Sequence, residues 1–114
     1  MITRISPSTM TKAKLFRGFS DLSRLSLLEA LRDGPLTVTA LIERTGLTQS
    51  NVSNHLACLR DCGLVIPSRQ QRYTLYQLSD ERVATLLSLA EALLAETAQG
   101  VDACPRYEQK EECC

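Results

Sequence analysis

The chain of 114 residues carries 13 basic and 13 acidic side chains, one His, five Cys and no Trp. That length suits one domain with a modest core, and neither a run of 18 apolar residues nor a signal peptide's apolar stretch after MITRISP is present, so a soluble, cytoplasmic protein is expected. With a single His and no nucleophile, base and orienting group to assemble around it, the composition argues against an enzyme.

The zero net charge hides an asymmetry. Residues 1–78 hold 10 Lys and Arg against 5 Asp and Glu, whereas residues 79–114 hold 3 against 8. A basic body can attract phosphate while an acidic segment lies elsewhere.

Taken in order, residues 1–10 are polar and expected to fray. Residues 11–19, TKAKLFRGF, read as a short basic helix with Leu15, Phe16 and Phe19 on one side. Ser20 and Asp21 can cap a second helix over 22–32, in which Leu22, Leu25, Leu28 and Leu31 recur every three residues beside Leu27. Asp33-Gly34-Pro35 stops it. Residues 36–44 form a third amphipathic helix with Val38, Leu41 and Ile42 inward. Thr45-Gly46-Leu47 makes a turn, with Gly where a left-handed backbone is easiest.

Thr48 then caps a helix that reaches Cys62. At about 100° per residue its side chains sort onto faces. Val52, Leu56 and Leu59 share a core-facing stripe, while Gln49, Ser50, Ser53, Ala57, Arg60 and Asp61 make a small, polar opposite side that suits a groove. Helix, Gly-containing turn and a second helix with a polar leading face is the helix-turn-helix pattern. An ordinary helical hairpin has the same spacing, so the pattern alone leaves both open.

Beyond Gly63, Leu64-Val65-Ile66 reads as a strand, 67–71 as a polar turn and 72–78 as the returning strand, alternating in period two. The resulting hairpin carries Arg69 and Arg72 near its tip, as a wing that contacts phosphate or the minor groove would. Ser79 and Asp80 cap a long helix ending about residue 99, before Gly100. Its stripe of Val83, Leu86, Leu87, Ala90, Leu93 and Leu94 is best used in pairing with a second subunit, since four helices already supply a core. The expected architecture is mainly α with a small β-hairpin: a winged helix-turn-helix of about five helices plus wing, working as a homodimer. Residues 1–100 form the DNA-binding and dimerisation domain, and 101–114 a flexible Cys-containing tail.

Five cysteines are an odd number for a disulfide framework, and thiols for metal or redox chemistry are the better reading. Cys58 and Cys62, four apart, lie about 40° from each other on the flank between core stripe and polar face. Cys104, Cys113 and Cys114 fall in the last eleven residues.

Residues 47–65, LTQSNVSNHLACLRDCGLV, resemble the recognition helix of the ArsR/SmtB-type winged-helix metal-sensing repressors, particularly their CmtR-like cadmium/lead branch, and the likeness extends over about 15–94. The resemblance implies a homodimer that represses an operon on double-stranded operator DNA and releases it when metal binds. It places two metal ligands at Cys58 and Cys62 and makes Cys104, from the tail of the other subunit, the natural third; Cys113 and Cys114 have no clear counterpart and are accessory candidates. The last helix lacks the His of the family's zinc sites, and the pair is CxxxC rather than the CxC or CxxC of its arsenic and lead sites.

Thiolates favour soft ions over Mg, Ca or Mn. Cd(II) or Pb(II) is the expected inducer, with Zn(II), As(III) and Hg(II) as alternatives. For DNA contact the candidates are Gln49, Ser50, Ser53 and Asn54 on the helix and Arg69 and Arg72 in the wing. His55 joins them as a structural or phosphate-contacting residue rather than a metal ligand. A second reading keeps the fold and makes the thiols a redox switch, with Cys58 and Cys62 or the tail pair oxidising to release DNA.

Overall fold

A computed structural model describes residues 4–104. Helix α1 spans Pro7–Phe19, α2 Leu22–Ala30 with a 3-10 turn over Leu31–Asp33, β1 Leu36–Thr37, α3 Val38–Thr45 and α4 Gln49–Asp61. Strands β2 (Val65–Gln70) and β3 (Tyr73–Leu78) follow, then α5 (Glu81–Ala103). Helix-turn-helix and hairpin together make a winged helix-turn-helix.

Each α-helix starts where a short polar side chain can accept an amide hydrogen bond that the helix itself leaves unmade. Ser6, Asp21, Thr37, Thr48 and Asp80 accept from the amides of Thr9, Arg24, Ala40, Asn51 and Arg82 at 2.8–3.2 Å. The Ser6 cap, followed by Pro7 in the first turn, starts α1 within the stretch expected to fray. Between α3 and α4, Gly46 adopts φ 76° and its amide bonds the Ile42 carbonyl at 2.9 Å, the left-handed stop foreseen for this turn.

The core is built from the inward stripes. Leu27 and Leu28 of α2, Leu31, Leu41 of α3, and Val52, Leu56 and Leu59 of α4 meet Leu64, Val65, Val83 and Leu87. The stripe on α4 is at most 1% exposed. Each such side chain contributes roughly 1.5–3 kcal/mol by leaving water. Leu22, by contrast, points outward at 84% exposure and is not part of the α2 stripe.

The sheet has three strands rather than a bare hairpin. Leu36 and Thr37, expected inside a helix, form β1 and pair antiparallel with Tyr76 and Leu75 of β3, giving the order β1-β3-β2. β2 runs on through Pro67 to Gln70, which faces Tyr73, so the wing turn is Gln71 and Arg72 alone rather than 67–71. Gln71 takes a left-handed φ of 55° there. The last helix continues through Gly100 to Ala103.

Polar contacts fix the outer elements. Arg24, only 2% exposed, donates to the carbonyls of Gly18 and Arg17 at 3.3 and 3.1 Å, setting a cation at the negative end of α1. Arg32 grips both carboxylate oxygens of Glu91 at 3.0 and 2.8 Å, tying the 3-10 turn to α5, and this hydrogen bonding holds the Glu91 carboxyl below its ordinary range. Gly18 lets α1 lie close to the base of the wing: a Cβ there would stand 3.2 Å from Leu64 Cδ1.

Candidate nucleic-acid interface and thiol site

The α4 segment offers its N-terminal half to solvent. Gln49, Ser50, Ser53 and Asn54 are all exposed, opposite the buried stripe, and no acidic residue stands in the first turn to repel a phosphate. The unbonded amides and positive dipole end of the helix face the same region. Arg60 and Asp61 are exposed as well, but Ala57 is half-buried, so the polar face narrows toward the C-terminal end.

His55 sits at the junction of α4 with α2. It is half-buried, and Nδ1 stands 4.0 Å from Asp21 Oδ2, the same oxygen that caps α2. Asp21 thereby links the start of one helix to the flank of the next, a role not visible in the sequence.

In the wing, Arg69 lies on β2 opposite Thr74 and Arg72 lies in the two-residue tip. Both are exposed, and neither forms an ion pair among the described residues. The wing is anchored at its base to the end of α4: Ser79 donates its amide to the Leu64 carbonyl at 3.0 Å and its hydroxyl to the Gly63 carbonyl at 2.6 Å. Since Asp80 caps α5 one residue later, the end of α4, the wing and the start of α5 meet at one point. Nothing in the pattern around Ser79 marked that junction beyond its role as a capping candidate.

The thiols lie beside it. Cys58 is half-buried in the last full turn of α4, and Cys62 is its exposed C-cap, still in helical geometry, with its amide bonded to the Cys58 carbonyl at 3.0 Å. The two residues are thus one turn apart on one flank. Cys62 also lines a groove of about 420 Å³ with Thr11, Lys12, Lys14 and Leu15 of α1. Cys104 is the half-buried C-cap of α5. Among the described residues no three His, Cys, Asp or Glu side chains gather as a metal-binding group, so the chain does not bring Cys104 to Cys58 and Cys62 by itself. Cys113 and Cys114 lie outside the described residues.

The model for the bacterial regulatory protein arsR family matches residues 21–66, from the cap of α2 into β2. A probable mercury resistance operon repressor of Streptomyces lividans is 41% identical over 84% of this chain and 77% of its own length. The transcriptional regulator CmtR of Mycobacterium tuberculosis is 44% identical over 73% of this chain and 71% of its own. This chain belongs to the ArsR family. Among solved structures, the cadmium metal-sensor CmtR of M. tuberculosis superposes with a TM-score of 0.60 at 45% identity, covering 67% of this chain and 79% of that one. A homodimeric winged helix-turn-helix DNA-binding domain from Mycobacterium bovis shares the fold, with a TM-score of 0.73 at 24% identity over 87% of this chain and 95% of its own. As an ArsR-family protein the chain is a DNA-binding transcriptional regulator and not an enzyme. Among its described residues, no helix is long and apolar enough to cross a membrane.

Proposed function

We propose that this ArsR-family regulator is a homodimeric, metal-responsive repressor that releases its operator when a soft heavy-metal ion, Cd(II) or Pb(II), binds Cys58, Cys62 and Cys104. The observation that carries the reading is the stacking of Cys58 and Cys62 at the end of α4, next to the Ser79 junction that joins α4 to wing and α5. A constraint applied to that flank acts on both DNA-contacting elements at once. The donor set fits the ion: thiolates are soft ligands, and binding requires loss of their protons, so affinity rises with pH. Among the described residues Cys104 is not grouped with the pair within one chain, so as the third ligand it would come from the neighbouring subunit.

In this scheme Gln49, Ser50, Ser53 and Asn54 read the groove, Arg69 and Arg72 hold phosphates, and His55 braces α4 on α2 while facing the backbone. The tie between α4 and a neighbouring tail changes the spacing or freedom of the two reading helices. By linkage, DNA weakens metal binding by the same factor that metal weakens DNA binding. The likeness to a mercury-operon repressor over 84% of the chain favours Hg(II) as the second choice of ion.

The test is fluorescence anisotropy of the reduced protein on DNA upstream of its own gene, at one fixed salt concentration because phosphate contacts dominate affinity. Stoichiometric Cd(II) is expected to release the DNA from the native chain and not from C58S/C62S. Release of that double variant by Cd(II) would overturn the thiolate mechanism. Release by peroxide without metal, reversed by reductant, would mark a redox switch instead.

A further inference from the structure

The wing ends in an aromatic side chain that the fold does not use. Of its two tyrosines, Tyr76 packs against the core, whereas Tyr73 is 64% exposed, more than any other aromatic among the described residues. Neither a side-chain hydrogen bond nor a ring or cation contact holds Tyr73 among those residues. Strand β1 covers β3 only at Tyr76 and Leu75, so beyond Leu75 the hairpin stands clear of the third strand as a two-stranded ribbon.

Cross-strand partners share one face of such a ribbon. Gln70 and Tyr73 therefore lie on one side of the tip. Arg69 and Thr74 lie on the other, the side that carries Val65 and Leu78 into the core. Residues 62–79 contain no Asp or Glu, so no charge on the hairpin opposes an approaching phosphate. Guanidinium groups suit phosphates, a glutamine amide can bond base edges, and an aromatic ring packs on the flat surfaces of nucleic acid. We propose that Tyr73 is a further DNA-contacting residue, its ring packed on the sugars of the minor groove, with Gln70 beside it at the base edges. The two faces of the ribbon then meet the two walls of one groove, Arg69 on the phosphates of one strand and Tyr73 on the sugars of the other. The inference rests on the reading of the wing as a DNA contact and adds to it a contact that carries no charge.

The experiment compares Tyr73 variants with R69A/R72A on DNA upstream of the protein's own gene. Tyr73→Ala is expected to weaken binding roughly fivefold to tenfold, the low end of what a ring stacked on nucleic acid contributes. Its plot of log affinity against log salt should keep the native slope, because the ring releases no counterion, whereas R69A/R72A lowers that slope. Its thermal melt should match that of the native chain, since the ring holds nothing in the fold. Tyr73→Phe keeps the ring and should bind like the native chain. Because the sequence has no Trp, Tyr73→Trp places a single indole at the tip, and the DNA should shield it from quenching by acrylamide. Native affinity in Tyr73→Ala beside a lowered slope in R69A/R72A would overturn the Tyr73 contact and leave the wing on the DNA. Native binding in both variants would overturn the contact and the wing reading together. An indole quenched equally with and without DNA also overturns the proposal, as expected of a tip that meets a protein instead.

Discussion

Helices α4 and α5 both carry an apolar stripe, yet the two are used differently. On α4, Val52, Leu56 and Leu59 are sealed against α2 and α3. On α5 only Val83 and Leu87, in the first two turns, reach the core; Leu93, two turns further on, is 62% exposed and Leu94 41%. The helix-turn-helix is therefore finished within one chain, whereas Leu93 and Leu94 on the distal half of α5 stay open among the described residues. Each helix also leaves an open face, polar on α4 and apolar on α5, which suits nucleic acid in one case and a second subunit in the other.

The largest expected effect breaks the first half of that contrast. Leu59→Ala should destabilise the fold by about 2–5 kcal/mol, read from urea denaturation, because the cavity it leaves is enclosed on all sides. Leu93→Ala should leave the fold of the single chain within about 0.5 kcal/mol and instead raise the dissociation constant of the dimer, measured by sedimentation velocity. A dimer indifferent to Leu93 and Leu94 substitutions would remove the proposed use of that face. Next in size, R69A/R72A should weaken DNA binding similarly for all sequences and reduce the steepness of log affinity against log salt by roughly 1.8, without altering assembly. The smallest effect concerns the point where the two regions join. Hydrogen bonds from the Arg82 side chain and amide lower the Asp80 carboxyl from 3.8 to about 2. A depressed folded-state value adds stability above the unfolded pKa, so this contribution is complete above pH 4 and fades as pH falls toward 2. Asp80→Asn should flatten that limb of a thermal-melt titration by a small amount, since the pair is exposed.

Much of this was readable from the chain, and the failures have physical causes. Thr48, Val52, Leu56 and Leu59 were legible because capping chemistry and a 3.6-residue period both act locally. Leu22 falls outside the core stripe because a strict period of three drifts around a helix, setting Leu22 and Leu31 about 180° apart, so both cannot face one core. Strand β1 leaves no signature in the sequence because two residues carry no periodicity, and their pairing with Tyr76 and Leu75 is a contact across some 40 positions, as the register shows. Pro67 suggested a turn, but β2 is an edge strand, where a missing amide donor costs no ladder hydrogen bond. Of the site, the adjacency of Cys58 and Cys62 follows from helical spacing alone, whereas the Asp21–His55 contact, the buried Arg24 and the Ser79 junction depend on tertiary packing that no local pattern encodes.

The position of Pro67 has one more consequence. An exposed edge strand is a template on which other chains can add strands, and a hairpin extended toward DNA would be especially open to such growth. β2 presents Pro67, which lacks an amide donor, and Arg69, which carries charge, along that edge, while β1 at the other edge is only two residues long. The wing can thus leave both edges of its sheet open and still resist aggregation through its own backbone.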